Sequence, residues 1–176
     1  MAKLIRNRRV VADNWLLLEL GAGGGTNGNS PSVPAEGDII VPLKVWLARH
    51  DALAVRLGQT GVWLDSNEGA ETIAADLRRL PLIALRFPAF TDGRGYSTAR
   101  LLRERYGYQG ELRAVGEVLG DQLFYMLRCG FDAFELAAGK NVELALKCFD
   151  DFSVTYQAAT DDPRPLYRRA HRGEHA

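Results

Sequence analysis

Histidine, cysteine and lysine are all scarce in this chain. Three histidines occur in 176 residues. His50 falls in a predicted helix, while His171 and His175 fall near the C-terminal end, so neither a Ser-His-Asp triad nor a histidine-rich metal centre is expected. The two cysteines, Cys129 and Cys148, form no C-x-x-C and read as buried free thiols. Zinc or iron–sulfur sites built by this chain alone lack ligands, so no metal is expected. Long hydrophobic runs are missing too: no stretch approaches the roughly 18 apolar residues of a membrane helix. The N-terminal charges, Lys3 to Arg9, have no apolar signal core behind them, which predicts a cytoplasmic protein without a membrane partner. Net charge is absent as well, with 22 basic residues against 22 acidic ones, so no global field favours nucleic acid. Lysine contributes only 4 of those basic residues. The arginines suit bidentate binding of carboxylate, phosphate or sulfate, although their number does not by itself show it.

What is present is an ordinary globular composition, 47% apolar and 25% charged, long enough to bury a core. Residues 1–160 read as a single α/β domain and 161–176 as a basic tail carrying Arg164, Arg168, Arg169, His171 and Arg172. Over residues 1–20, Leu4-Ile5, Val10-Val11 and Trp15 to Leu20 fit short strands with a turn at Asp13-Asn14. Residues 21–37 are glycine- and proline-rich and read as a mobile loop. Within them, Gly23-x-Gly25-x-x-Gly28 spells a dinucleotide fingerprint, but Asn29-Ser30-Pro31 and Pro34 follow where a helix would have to begin, so no cofactor is expected. Residues 38–41 form a short apolar segment. Pro42 then opens a helix over 43–57, and Gly58 stops it.

From Gly61 the pattern is regular. Predicted strands over 62–64, 81–87, 111–115 and 131–136 alternate with predicted helices over 71–80, 97–106, 121–128 and 141–152. Four consecutive βα units argue for an open, mostly parallel sheet with right-handed crossovers, preceded by the short N-terminal β segment. Two shapes fit: a flat doubly wound sheet, which is preferred, and a sheet curled like half a β/α barrel. Four units are too few to close an eight-stranded barrel.

In either shape the C-terminal ends of the parallel strands share one edge, where ligands bind. The richest connection there runs from Phe87 to Ser97. Gly93 and Gly95 allow positive φ and close backbone approach, and Ser97 is placed to cap the next helix. With Arg94 beside that helix start and Arg86 closing the strand, the loop reads as a site for a small anion, phosphate, sulfate, sulfite or carboxylate. The competing expectation pairs Arg86 with Asp92 or Glu117 in a structural ion pair. Phe90 and Tyr96 would wall a pocket or meet a partner surface. Asp92, Glu117 and Asp121 are the candidates for acid/base work, and together with Asp65 they read chiefly as solvated loop carboxylates. Ser97 lacks the G-x-S-x-G context of a nucleophile elbow.

Three strings carry a resemblance: Leu80 to Arg103, with Phe90-Thr-Asp-Gly-Arg-Gly-Tyr-Ser97 at its centre; Glu111 to Gln122; and Cys129-Gly-Phe-Asp-Ala-Phe134. Over residues 38–160 the chain resembles an uncharacterised proteobacterial family labelled as oxidoreductases of sulfite reduction, because their genes neighbour that of the sulfite reductase haemoprotein. The resemblance implies a pathway, assimilatory sulfate reduction, and a partner, the sulfite reductase haemoprotein. It carries over no catalytic residue. Two functions are therefore expected: an auxiliary protein that docks on sulfite reductase, or a small enzyme or binding protein for an anionic metabolite at the strand ends.

Overall fold

The computed structural model describes residues 3–20 and 32–170. The chain begins with an antiparallel hairpin, β1 (Lys3–Arg6) and β2 (Arg9–Ala12). Its turn is Asn7-Arg8, both at positive φ, the mirror-image turn whose twist suits a hairpin. The expected turn at Asp13-Asn14 is instead the bend that leads from β2 to β3 (Leu16–Leu17). The sequence misleads here because arginine seldom adopts positive φ; contacts of Arg8 with Asp150 and with the Phe149 ring accompany it.

Most of the glycine-rich run expected as a mobile loop lies outside the described residues. Where description resumes, Glu36 bridges to Leu57, and Gly58 at φ +124° passes so close to Gly37 that a Cβ would sit 2.3 Å from its carbonyl oxygen. β4 (Ile39–Pro42) follows and runs directly into α1 (Leu43–Ala54). β5 (Thr60–Leu64) comes next, then two 3-10 turns, Ala70–Thr72 and Ala74–Arg79, in place of the expected α-helix. β6 (Leu82–Phe87) precedes α2 (Arg94–Arg100), which continues as a π-helical turn over Leu101–Arg105. β7 (Glu111–Gly116), α3 (Leu123–Arg128) and β8 (Ala133–Phe134) complete the sheet, and α4 (Val142–Lys147) and α5 (Leu166–Ala170) end the described chain. β8 is shorter than its apolar run predicts, and the helix expected to reach residue 152 ends its α-helical part at Lys147.

The strands form one eight-stranded sheet in the order β2-β1-β8-β7-β6-β5-β4-β3. From β3 to β8 every neighbour is parallel and consecutive, whereas β1 joins β8 antiparallel. This order replaces the preferred doubly wound sheet with the half-barrel alternative. When each right-handed crossover leads to the next strand in one direction, all helices fall on one face, and the sheet curls away from them. The curl is pronounced. A flat sheet would set β2 and β3 seven spacings apart, roughly 34 Å. The chain from Ala12 to Leu16 spans at most about 14 Å when extended.

The two faces carry separate cores. On the outer face Ile83, Leu85 and Phe87 of β6 pack with Leu64, Leu112, Ala114 and the helices. On the inner face Ile40, Trp63, Leu82, Ala84 and Val115 pack beneath Trp15 and Leu17. No helix among the described residues is long and apolar enough to cross a membrane. Both cysteines are free; Cys129 is buried and Cys148 only partly so.

Candidate functional site

The loop between β6 and α2 is braced from several sides. Phe87, the last residue of β6, packs edge-on against Tyr96 at 5.4 Å between ring centroids and tilts against Phe131 at 5.9 Å. Gly95 makes this possible: a Cβ there would lie 2.7 Å from the Phe87 ring, so only glycine lets the first turn of α2 rest on it. Close approach is the reason for this glycine, and neither Gly93 nor Gly95 has positive φ. Gly116 at the end of β7 does, at φ +96°, and it lies against the Phe87 carbonyl. That carbonyl also accepts a hydrogen bond from the Glu117 amide at 2.8 Å. The Asp92 amide donates to the Ala89 carbonyl, and the Gln122 side-chain amide donates to the Phe90 carbonyl at 2.9 Å.

Arg94 ties the loop to its neighbour. Its guanidinium donates to both carboxylate oxygens of Asp92, at 3.0 and 2.6 Å, and to the Ser66 hydroxyl, at 2.7 Å. Ser66 follows β5, so a single side chain links two strand-end loops. Asp92 also accepts from the Arg94 amide, 3.1 Å away. The side-chain hydrogen bond from Arg94, with that backbone bond behind it, holds the Asp92 carboxyl well below the usual carboxylate range and raises the guanidinium in turn. An aspartate so firmly ionised is poorly matched to general acid/base work near neutral pH. α2 begins at Arg94, with Gly93 preceding it, so Ser97 lies inside the helix and is not its cap. Glu117 and Asp121, the remaining acid/base candidates, are exposed on the connections after β7. Among the described residues no group of three or more His, Cys, Asp or Glu side chains is placed to hold a metal ion.

Arg86 turns the other way. Alternation along β6 puts Phe87 on the outer face and Arg86 on the inner one, where its guanidinium lies 5.2 Å from the centroid of the Trp63 ring. Its carboxylate partner is Glu19, at 3.0 Å, and neither Asp92 nor Glu117. Arg86 and Arg94, expected to converge on one anion, are thus engaged by different carboxylates on different sides of the strand.

The inner face holds a cluster that the linear reading missed. Arg113 is only 1% exposed, and its guanidinium meets Asp13 and Glu111, each at 2.8 Å. In register it stands between Ala84 and Ala133, whose small side chains leave room for it. The Trp63 indole N–H donates to the Leu18 carbonyl at 2.9 Å, so the segment after β2 is pinned twice. Burial pushes the Glu135 carboxyl up, opposed by nearby Arg113. The available signal was a charge inside each of two apolar strands, Arg86 and Arg113, both facing away from the helices.

Residues 61–167 match the family described as Bacterial protein of unknown function (DUF934). The chain belongs to this family. The matched segment contains all of β5 but Thr60, β6 to β8, the whole Phe87–Ser97 connection and every residue that braces it, while Asp13 and Glu19 of the inner face precede it. No curated protein and no solved structure matches the chain.

Proposed function

We propose that this member of the DUF934 family is an auxiliary protein of assimilatory sulfite reduction, which docks on the sulfite reductase haemoprotein and supports electron delivery, cofactor insertion or stability there. The pathway and the partner rest on the resemblance of the Phe90–Ser97, Glu111–Gln122 and Cys129–Phe134 strings. The docking surface rests on one observation: Phe90 is 59% exposed at the crest of a loop whose backbone is held by Gln122 and by the Asp92–Arg94–Ser66 bonds. An aromatic ring presented on a braced backbone loses little freedom when a partner covers it, which is what makes such residues interface anchors. Tyr125, 60% exposed and tilted against Tyr96 at 5.2 Å between ring centroids, extends the same rim. With Arg94 already paired to Asp92, and Arg86 turned to Glu19 on the inner face, the loop suits a protein surface better than a free anion.

Co-purification of the tagged protein with the haemoprotein from its own host tests this reading. A stable complex, lost in Phe90→Ala and weakened in Tyr125→Ala, is expected. Absence of a complex at low salt, or one indifferent to Phe90→Ala, would overturn it. Thermal stabilisation by sulfite or phosphate that depends on Arg86 and Arg94 would favour the anion-binding alternative.

A further inference from the structure

A cavity of about 610 Å³ lies at the other end of the strands from the Phe90 loop. Thr60 at the start of β5 and Pro81 just before β6 line it, together with the second half of α1 and the end of the second 3-10 turn. Its volume falls within the usual range for small-molecule sites, about 300–1,000 Å³. Trp46, Leu53 and Leu80, all members of the outer core, supply an apolar floor. The floor is oriented, because the Trp46 indole N–H donates to Asp76 at 3.0 Å. α1 departs from helical geometry at Arg49 (φ −139°, ψ 18°), and the next residue, His50, brings its ring to 6.4 Å from that of Trp46.

The charge at this cavity has one sign. Arg78 and Arg79 line it, and among the described residues no carboxylate does. Arg79 has one acidic neighbour, Asp76, whose Oδ1 lies 3.7 Å away, beyond hydrogen-bond distance, while Trp46 takes the other oxygen. Arg78 has no hydrogen-bond or ion-pair partner among the described residues. An apolar floor that includes an indole, beside two guanidiniums with donors to spare, selects a ligand with a planar apolar body and an anionic head. We infer that this cavity binds a small organic anion of that kind, an aromatic carboxylate or a nucleoside phosphate, with its ring against Trp46 and Leu53 and its charge at Arg78 and Arg79. The site shares no residue with the docking rim and stands independently of the sulfite-reduction reading.

Titration of the full chain with 1-naphthoate and with adenosine monophosphate, read by calorimetry and tryptophan fluorescence, tests the inference. The neutral controls are 1-naphthalenemethanol and adenosine. At least one anion should bind saturably with a Kd on the order of 1 mM or tighter. Its neutral counterpart, and the Arg78→Ala/Arg79→Ala variant, should bind about tenfold more weakly or worse, since a charge-assisted hydrogen bond contributes roughly that much. Both substitutions are at exposed positions, so the fold should be retained. Binding of naphthoate alone assigns a carboxylate, and binding of the nucleotide alone assigns a phosphate. If neither anion binds at millimolar concentration, or if binding is the same in the double variant, the inference fails.

Discussion

The outer and inner faces of the sheet are built from the same strands by opposite means. On the outer face, side chains such as Ile83, Leu85 and Phe87 meet apolar helix residues, and cohesion comes from removing hydrocarbon from water. On the inner face no helix among the described residues lies above the strands, and cover comes from the short stretch from Asp13 to Glu19. There, charge and hydrogen bonding position the chain: Arg113 holds Asp13, Trp63 holds the Leu18 carbonyl, and Arg86 holds Glu19. An apolar face is forgiving of exact contacts, because hydrophobic attraction has no direction. A face closed by a buried guanidinium fails when any one partner is missing.

That contrast can be broken most directly at Arg113. Arg113→Met leaves Asp13 and Glu111 beside an apolar group and is expected to cost about 3–5 kcal/mol in denaturant unfolding. Replacing all three together, as Arg113→Met/Asp13→Leu/Glu111→Leu, should recover much of that loss, because the buried triad is then removed whole and Arg6, the other partner of Glu111, is half exposed to water. If the single substitution proves mild, the inner face is held by packing alone. Ile83→Ala on the outer face should cost about 2–5 kcal/mol, and there no second substitution of a polar neighbour should restore it.

A smaller effect separates the faces by pH. Burial raises the Glu135 carboxyl above its ordinary value, so the folded state favours the protonated form. The resulting penalty is absent below the unfolded pKa and grows as pH rises through the folded one. Glu135→Gln should therefore be more stable than the parent near neutral pH and equal to it below about pH 4, the region of an unperturbed glutamate. A gain that persists at pH 3 would contradict this account. The smallest expected change is at the rim. Arg94→Ala should scarcely move the unfolding midpoint, because the pair is solvated. In NMR titration, however, it should return the Asp92 carboxyl toward the ordinary carboxylate range.

Much of the architecture was legible in the sequence. The apolar runs from Val62 onward alternate with amphipathic segments, and that alternation is sufficient for a parallel βα sheet. The Phe87–Ser97 connection could be placed at the ligand-bearing edge for the same reason. Boundaries were less accessible. Asn141 caps α4 through a hydrogen bond to the Leu144 amide, but the expected helix over 71–80 became two 3-10 turns. Nor does sequence show that Gly95 is required by the Phe87 ring, since the two are neighbours only once α2 folds back over β6.

Local pattern determined which segments become strands, which way their side chains alternate, and where the loop rich in Asp, Arg and Tyr emerges. These follow from backbone geometry and residue type within a few positions. Only the tertiary structure decided that consecutive strands lie side by side in one direction, so that the sheet curls and the helices of the described residues leave one face to other cover. It alone chose the distant partners of the arginines: Glu19 for Arg86, Asp13 for Arg113 and Ser66 for Arg94, whereas Glu111 and Asp92 stand only two residues along the chain from Arg113 and Arg94. A guanidinium donates to any carboxylate within reach, and for the distant partners reach is set by the packing of segments far apart in the chain.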